Sequence, residues 1–183
     1  MAYLLEIVGS SFIGGMIIFI ILNLNSNVMQ NAGEMSFDKI AQENLTSLVE
    51  EIEYDLKKIG YRSPDPKIVS VDTNAITFRY DIDNNGSVET ISYFTSDTTI
   101  LSNTPNPRDI FLYRTVNGSQ PQTSNLGVTR FRLWYYDASG NLTSTPADIR
   151  SIKFALNVES LFTYNDEYVT TYIERLIQPN NLR

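Results

Sequence analysis

Two groups of side chains in this sequence have the types and spacing to do chemistry. The first lies in the run DIDNNGSVETIS, residues 81–92. Asp81, Asp83, Asn85 and Gly86 fall where a twelve-residue EF-hand calcium loop places its first ligands and its tight turn, and Glu89 falls on a later ligand position. The last position of such a loop takes a bidentate Glu, and here it is Ser92. The flanking segments read as strands rather than helices. Two readings stand side by side: a polar hairpin turn, or a calcium site using Asp81, Asp83, Asn85 and Glu89. The second group is a single residue. Glu6 is the only charged side chain in the first 33 residues, and a carboxylate in a segment otherwise suited to lipid is expensive unless something neutralises it.

Other chemistry finds little footing. The chain has no cysteine, which removes thiol redox chemistry and disulfide stapling, and no histidine, the commonest general base and transition-metal ligand. No nucleophile–base constellation is visible, so the chain is expected not to be an enzyme. A net charge of −7 without a basic patch argues against a nucleic-acid partner. Arg130 and Arg132 beside Trp134 read either as a cationic aromatic face or as the wet side of an amphipathic strand. The sequons at Asn44, Asn85, Asn117 and Asn141 read as surface polarity.

The elements that must position these residues fall into three segments. Residues 1–27 are an apolar head, in which residues 2–24 form a stretch long enough to cross a bilayer as a helix. Gly9, Gly14 and Gly15, with Ser10 and Ser11, give it a small-residue face. Local weakening of the helix is expected at the glycine pair or at the polar run Asn23–Asn27. Residues 28–60 continue as an amphipathic helix. Phe37, Ile40, Ala41, Leu45, Leu48, Val49, Ile52, Leu56 and Ile59 keep to one face at helical spacing. Lys57 and Lys58 followed by Gly60 mark its C-terminus. A single helix over 2–59 would be about 85 Å long, more than a small domain can cover, so its first half must be buried in lipid or in other copies.

Residues 61–183 form a β-rich body. Strands are expected at 67–71, 74–80, 88–94, 109–114, 128–137, 148–160 and 168–177, with Asn84, Asn85 and Gly86 turning a hairpin between the second and third. In 128–137, Phe131, Leu133 and Tyr135 alternate with Arg130, Arg132 and Trp134. No helical period follows residue 60. The expected class is α+β: a long N-terminal helix, apolar then amphipathic, packed on a C-terminal antiparallel sheet.

The head AYLLE, the apolar run after it, the amphipathic half ending LTSLVEEIEYDLKKIGYR, the hairpin ITFRYDIDNNGSVETISYF and the closing DIRSIKFALNVES and YVTTYIERLI together resemble the type IV pilin and pseudopilin family. With Met1 removed, Ala2 becomes the first residue and Glu6 the fifth, the family's position for the glutamate that recruits the next subunit and neutralises its N-terminal amine. The resemblance implies a structural subunit of a pilus-like or pseudopilus filament. Its partners would be copies of itself, together with membrane lipid and an inner-membrane assembly machinery before polymerisation. Ala2, Glu6, Gly14 and Gly15 would be its assembly residues. It implies a prokaryotic protein anchored in the membrane first and then carried in an extracellular surface filament, or a periplasm-spanning one for a pseudopilus. Asn23 stands where the family has a proline, and no basic leader precedes the apolar run. The alternatives are a minor pseudopilin of a secretion or uptake machine, a membrane-tethered binding module with a β-rich head, and a plain single-pass anchor.

Overall fold

A computed structural model describes residues 2–124, 127–164 and 166–182; the side chains of residues 2, 4, 5, 34, 122–124 and 164 are not described. Two compact units are present, one through Phe37 and one from Asp38 onward. Helix α1, Ala2–Lys58, contributes to both. It is α-helical throughout, with no break at Gly14–Gly15 or at Asn23–Asn27. The expected weakening is absent because a helical glycine costs only about 1 kcal/mol, and helix propagation from both sides carries such residues. Hydroxyls that compete with helix structure are turned back onto it. Ser10 and Ser11 both donate to the Ile7 carbonyl, at 3.0 and 2.8 Å, and Ser36 donates to that of Ala32 at 2.8 Å.

The second unit holds eight strands in two antiparallel meanders rather than one continuous sheet. The first sheet comprises β1 (Ile68–Val71), β2 (Ala75–Tyr80), β3 (Glu89–Thr95), β4 (Leu112–Val116) and β5 (Gln122–Ser124), in that order. The second comprises β6 (Val128–Tyr136), β7 (Ser151–Tyr164) and β8 (Glu167–Ile177). All seven expected strands are found, with β4 and β7 each beginning three residues later than expected, β7 running on to Tyr164, and β5 additional to them. The break between sheets follows from β5, which pairs with β4 over only three residues. The chain then restarts at Gly127. Gly127 has φ +75°, and a Cβ there would stand 2.2 Å from the Glu159 carbonyl oxygen. Only glycine allows β6 to enter its sheet at that point. The two sheets remain joined at the β1–β2 turn. Leu133 N donates to the Thr73 carbonyl at 2.8 Å, and the Tyr135 hydroxyl reaches the Asp72 and Ala75 carbonyls at 2.8 and 2.9 Å.

The helical stripe and the strand alternation meet in one core. From α1, Ala41, Leu45, Leu48, Val49, Ile52, Leu56 and Ile59 are buried, whereas Ile40 is 54 % exposed and ends the stripe. From the sheets come Ile76, Phe78, Tyr80, Ile91, Tyr93, Phe131, Leu133, Tyr135, Ile152, Phe154, Leu156 and Val158. Burying each large aliphatic or aromatic side chain contributes about 1.5–3 kcal/mol. Arg130 and Arg132 take the wet face of β6 as expected, and Lys153 and Arg132 flank the Trp134 ring at 4.4 and 5.3 Å. The helix ends as its sequence specifies: Gly60 adopts φ +76° and its N–H donates to the Arg79 carbonyl at 2.8 Å.

One buried carboxylate fixes this packing. Asp55, 2 % exposed on the last turns of α1, accepts hydrogen bonds from the Tyr80 hydroxyl at 2.5 Å, the Tyr93 hydroxyl at 2.7 Å and Arg114 Nε at 2.7 Å. It thereby joins the helix to β2, β3 and β4. Burial and the Asp55 charge push both phenols well above the usual tyrosine range. Burial alone would lower the Arg114 value, but its bond to Asp55 outweighs that and raises it. Replacing Asp55 by Ala strands a buried guanidinium and two buried phenols. Chemical denaturation of the full chain in detergent is expected to show a loss of about 3–5 kcal/mol for Asp55→Ala, against less than about 1 kcal/mol for the exposed Lys39→Ala.

Candidate functional site

The first unit is helical, and among the described residues its large apolar side chains from Ile7 to Met35 are exposed. Phe12 is 70 % exposed, Phe19 66 % and Ile17 52 %, and the large residues between Ile7 and Met29 are exposed with them. Among the described residues this is the one helix long and apolar enough to cross a membrane. Glu6 is exposed and has neither an ion pair nor a side-chain hydrogen bond among the described residues. Ala2 is the first helical residue, and its side chain lies outside those described; so does Met1, whose removal would set the register of Glu6. A Cβ built on Gly9, Gly14 or Gly15 meets nothing within 4 Å. Nothing inside the chain therefore requires those glycines.

The acidic run forms the connection between β2 and β3. The strands pair in register up to Tyr80↔Glu89, so residues 81–88 form an eight-residue loop rather than a two-residue Asn-Gly turn. Register places Glu89 at the loop's mouth beside Asp81, and one oxygen from each of Asp81, Asp83 and Glu89 lies within 4.8 Å of the others. Each carboxylate is held by the loop's own backbone. Gly86 N–H donates to Asp81 Oδ2 at 3.1 Å, Asn85 N–H to Asp83 Oδ1 at 3.2 Å, and Ile82 N–H to Glu89 Oε2 at 3.0 Å. Asn85 orients its neighbour, its Nδ2 donating to Asp83 Oδ2 at 2.8 Å while its Oδ1 accepts from Ser87 N–H at 2.6 Å. Asn84 and Gly86 take positive φ, at 62° and 88°.

A second group of buried acids was not legible as such in sequence. Asp109, at the entry to β4, is fully buried, and neither of its oxygens has a hydrogen-bond partner. Asn106, also fully buried, donates to Glu159 Oε2 at 3.0 Å, and Arg108 pairs with the same oxygen at 2.8 Å. The Arg108 guanidinium lies 4.7 Å from the Tyr168 ring, and the Tyr168 hydroxyl donates to the Pro105 carbonyl at 2.9 Å. The Pro-rich loop before β4 is thus pinned to the β7–β8 hairpin. The only advance signal for Asp109 was an acid abutting an apolar strand.

Comparison with protein-family models, curated proteins and solved structures finds no match to this chain. Its chemistry therefore rests on the geometry above.

Burial, and then the charge of Glu159, push the Asp109 carboxyl up to about 6, against the opposing pull of Arg108. A carboxyl raised in the folded state holds its proton where the unfolded chain has lost it. Its stabilisation is complete below about pH 4 and is lost as pH rises through 6. Asp109→Asn removes that dependence. Thermal unfolding is expected to show the variant gaining at least about 1 kcal/mol on the parent between pH 4.5 and pH 7.5. An unchanged difference across that range would show that Asp109 titrates normally.

Proposed function

We propose that this chain is a structural subunit of a type IV pilus-like or pseudopilus filament, and that it polymerises through the first half of α1. The observation that carries this reading is the contrast along one helix. From Ala41 to Ile59 its apolar stripe is buried in the β-rich unit, while from Ile7 to Met29 its apolar side chains are exposed on all sides. An all-round apolar helix requires either lipid or other helices. Lipid before assembly and copies of the same helix afterwards satisfy both demands. Gly14 and Gly15, which serve no contact within the chain, allow close backbone approach by a neighbour.

Glu6 supplies the register. Once apolar helices of other copies close around it, its carboxylate needs a cation, and the N-terminal amine of an adjacent copy is the natural one if the mature chain starts at Ala2. A mispaired buried charge is destabilising by several kcal/mol, so axial offsets that separate the two groups are rejected. The subunit would begin in the inner membrane, in contact with its assembly machinery, and end in a surface filament, or in a periplasm-spanning one if the machine is a pseudopilus. No catalytic role and no nucleic-acid partner are part of this reading.

Glu6→Val is expected to leave a folded, membrane-inserted monomer and to remove filaments from sheared surface material viewed by electron microscopy. Mass spectrometry of assembled subunits is expected to find an N-terminus at Ala2. Filaments of normal abundance and symmetry from the Glu6→Val strain would overturn the pairing. A plain single-pass anchor, by contrast, tolerates any apolar helix of equal length in place of residues 1–25.

A further inference from the structure

We propose that the β2–β3 loop is a calcium site whose carboxylate ligands are Asp81, Asp83 and Glu89. The site belongs to the unit from Asp38 onward and does not depend on whether α1 polymerises.

Three carboxylate oxygens no more than 4.8 Å apart repel one another unless a cation lies between them. Arg62 is the basic side chain that reaches the loop. Its Nη1 stands 3.6 Å from Asp81 Oδ2, farther than a hydrogen bond, and donates instead to the Asn84 carbonyl at 3.3 Å. One half-exposed guanidinium thus makes a long ion pair with Asp81, and among the described residues no ion pair reaches Asp83 or Glu89. The independent sign of a missing ligand is Asp81 itself. Its side chain is 1 % exposed, and its Oδ1 is buried with no hydrogen-bond partner. An ionisable oxygen removed from water in this way is destabilising unless something coordinates it. The backbone N–H groups of Ile82, Asn85 and Gly86 meanwhile hold all three carboxylates in place, so the ligands are positioned before any ion arrives.

The donor set selects the ion. Hard carboxylate oxygens suit calcium or magnesium, and the chain has no histidine or cysteine to favour a transition metal. Calcium holds its oxygens at about 2.3–2.6 Å in flexible geometry, so that it spans carboxylates separated by up to about 5 Å. Magnesium demands a tighter octahedron, at about 2.0–2.1 Å, and keeps its waters. The remaining calcium coordination falls to water, since Asp83 and Glu89 sit on the open side of the loop. A site with few protein ligands belongs with the weaker extracellular calcium modules, whose dissociation constants are about 10⁻⁴–10⁻³ M.

The test uses the full chain in detergent micelles, stripped with EDTA and titrated calorimetrically with calcium chloride. Magnesium chloride and sodium chloride at matched ionic strength serve as references, and thermal unfolding is followed under each condition. One calcium per chain is expected, with a raised Tm and a magnesium response at least tenfold weaker. Glu89→Gln and Asp83→Asn keep side-chain volume and the backbone hydrogen bonds. Each is expected to weaken calcium binding at least tenfold and to hold or raise the calcium-free Tm, since one of three mutually repelling charges is removed. Asp81→Asn is expected to abolish binding. The absence of saturable heat and of any Tm shift up to about 10 mM calcium, tenfold above the weakest site of this class, overturns the proposal. So does an equal response to magnesium, or calcium affinity unaltered in both Glu89→Gln and Asp83→Asn, which would place the ion elsewhere.

Discussion

The β-rich unit depends on a carboxylate that has been taken out of water. Asp55 replaces hydration with two phenolic hydroxyls and a guanidinium, each from a different strand of the first sheet. Such a group tolerates little displacement, because losing any donor leaves a buried charge underpaired. The apolar stripe of α1 can slide or rotate against a sheet at modest loss, since dispersion contacts are individually small and non-directional. The Asp55 bonds cannot. They convert a general attraction between helix and sheet into one position. Arg114 also stands 3.4 Å from Glu51, and Arg175 of β8 stands 3.3 Å from Glu53, so both sheets are tied by arginine to the same turns of helix.

This anchoring explains how one helix serves two environments. From Ala41 onward α1 is a component of a folded unit, its orientation settled by Asp55 and its end closed by Gly60. Between Ile7 and Leu22 its large side chains are exposed and almost uniformly apolar, a surface that suits lipid and protein alike. Ser10, Ser11 and Ser36 donate to carbonyls of the helix itself, so these three hydroxyls need neither water nor a partner. Polar groups satisfied internally are the condition for moving a helix between bilayer and bundle without a penalty at either stage.

The long-range order of elements was legible in the sequence; the polar interior was not. The spacing from Ala41 to Ile59 and the alternation in β2 and β6 read directly as buried faces, because burial imposes periods of 3.6 and 2. Ile40 was misplaced by the same rule, since the stripe ends where the sheets end, and nothing local records that. The division into two sheets was likewise hidden: strand pairing is a non-local choice, made here at Gly127 by a carbonyl 32 residues later in the chain. Asp55 lay among Glu50, Glu51 and Glu53 and looked like one more solvated acid. Its partners Tyr80, Tyr93 and Arg114 are 25, 38 and 59 residues away. The acidic loop, Glu89 included, was visible by ligand spacing; the Tyr80↔Glu89 register, which closes the loop over Asp81, was not.

Three lone carboxylates then show three ways of holding a charge in apolar surroundings. Asp55 is partnered by two phenols and a guanidinium of the same chain. Asp109 has no partner, and its buried oxygens make the neutral form the favoured one up to about pH 6. Glu6 has no partner among the described residues either, yet it is exposed, so nothing in the isolated chain forces it to pair or to neutralise. The difference would be the environment of the proposed filament. A carboxylate that is harmless on a solvated or interfacial helix becomes costly once apolar neighbours close around it, and the energy of that closure then depends on whether a cation arrives in the same step. In the proposed filament, assembly coupled in this way would be selective at the moment of contact, because a neighbour that buried Glu6 without supplying an amine would gain apolar area and lose more by stranding the charge.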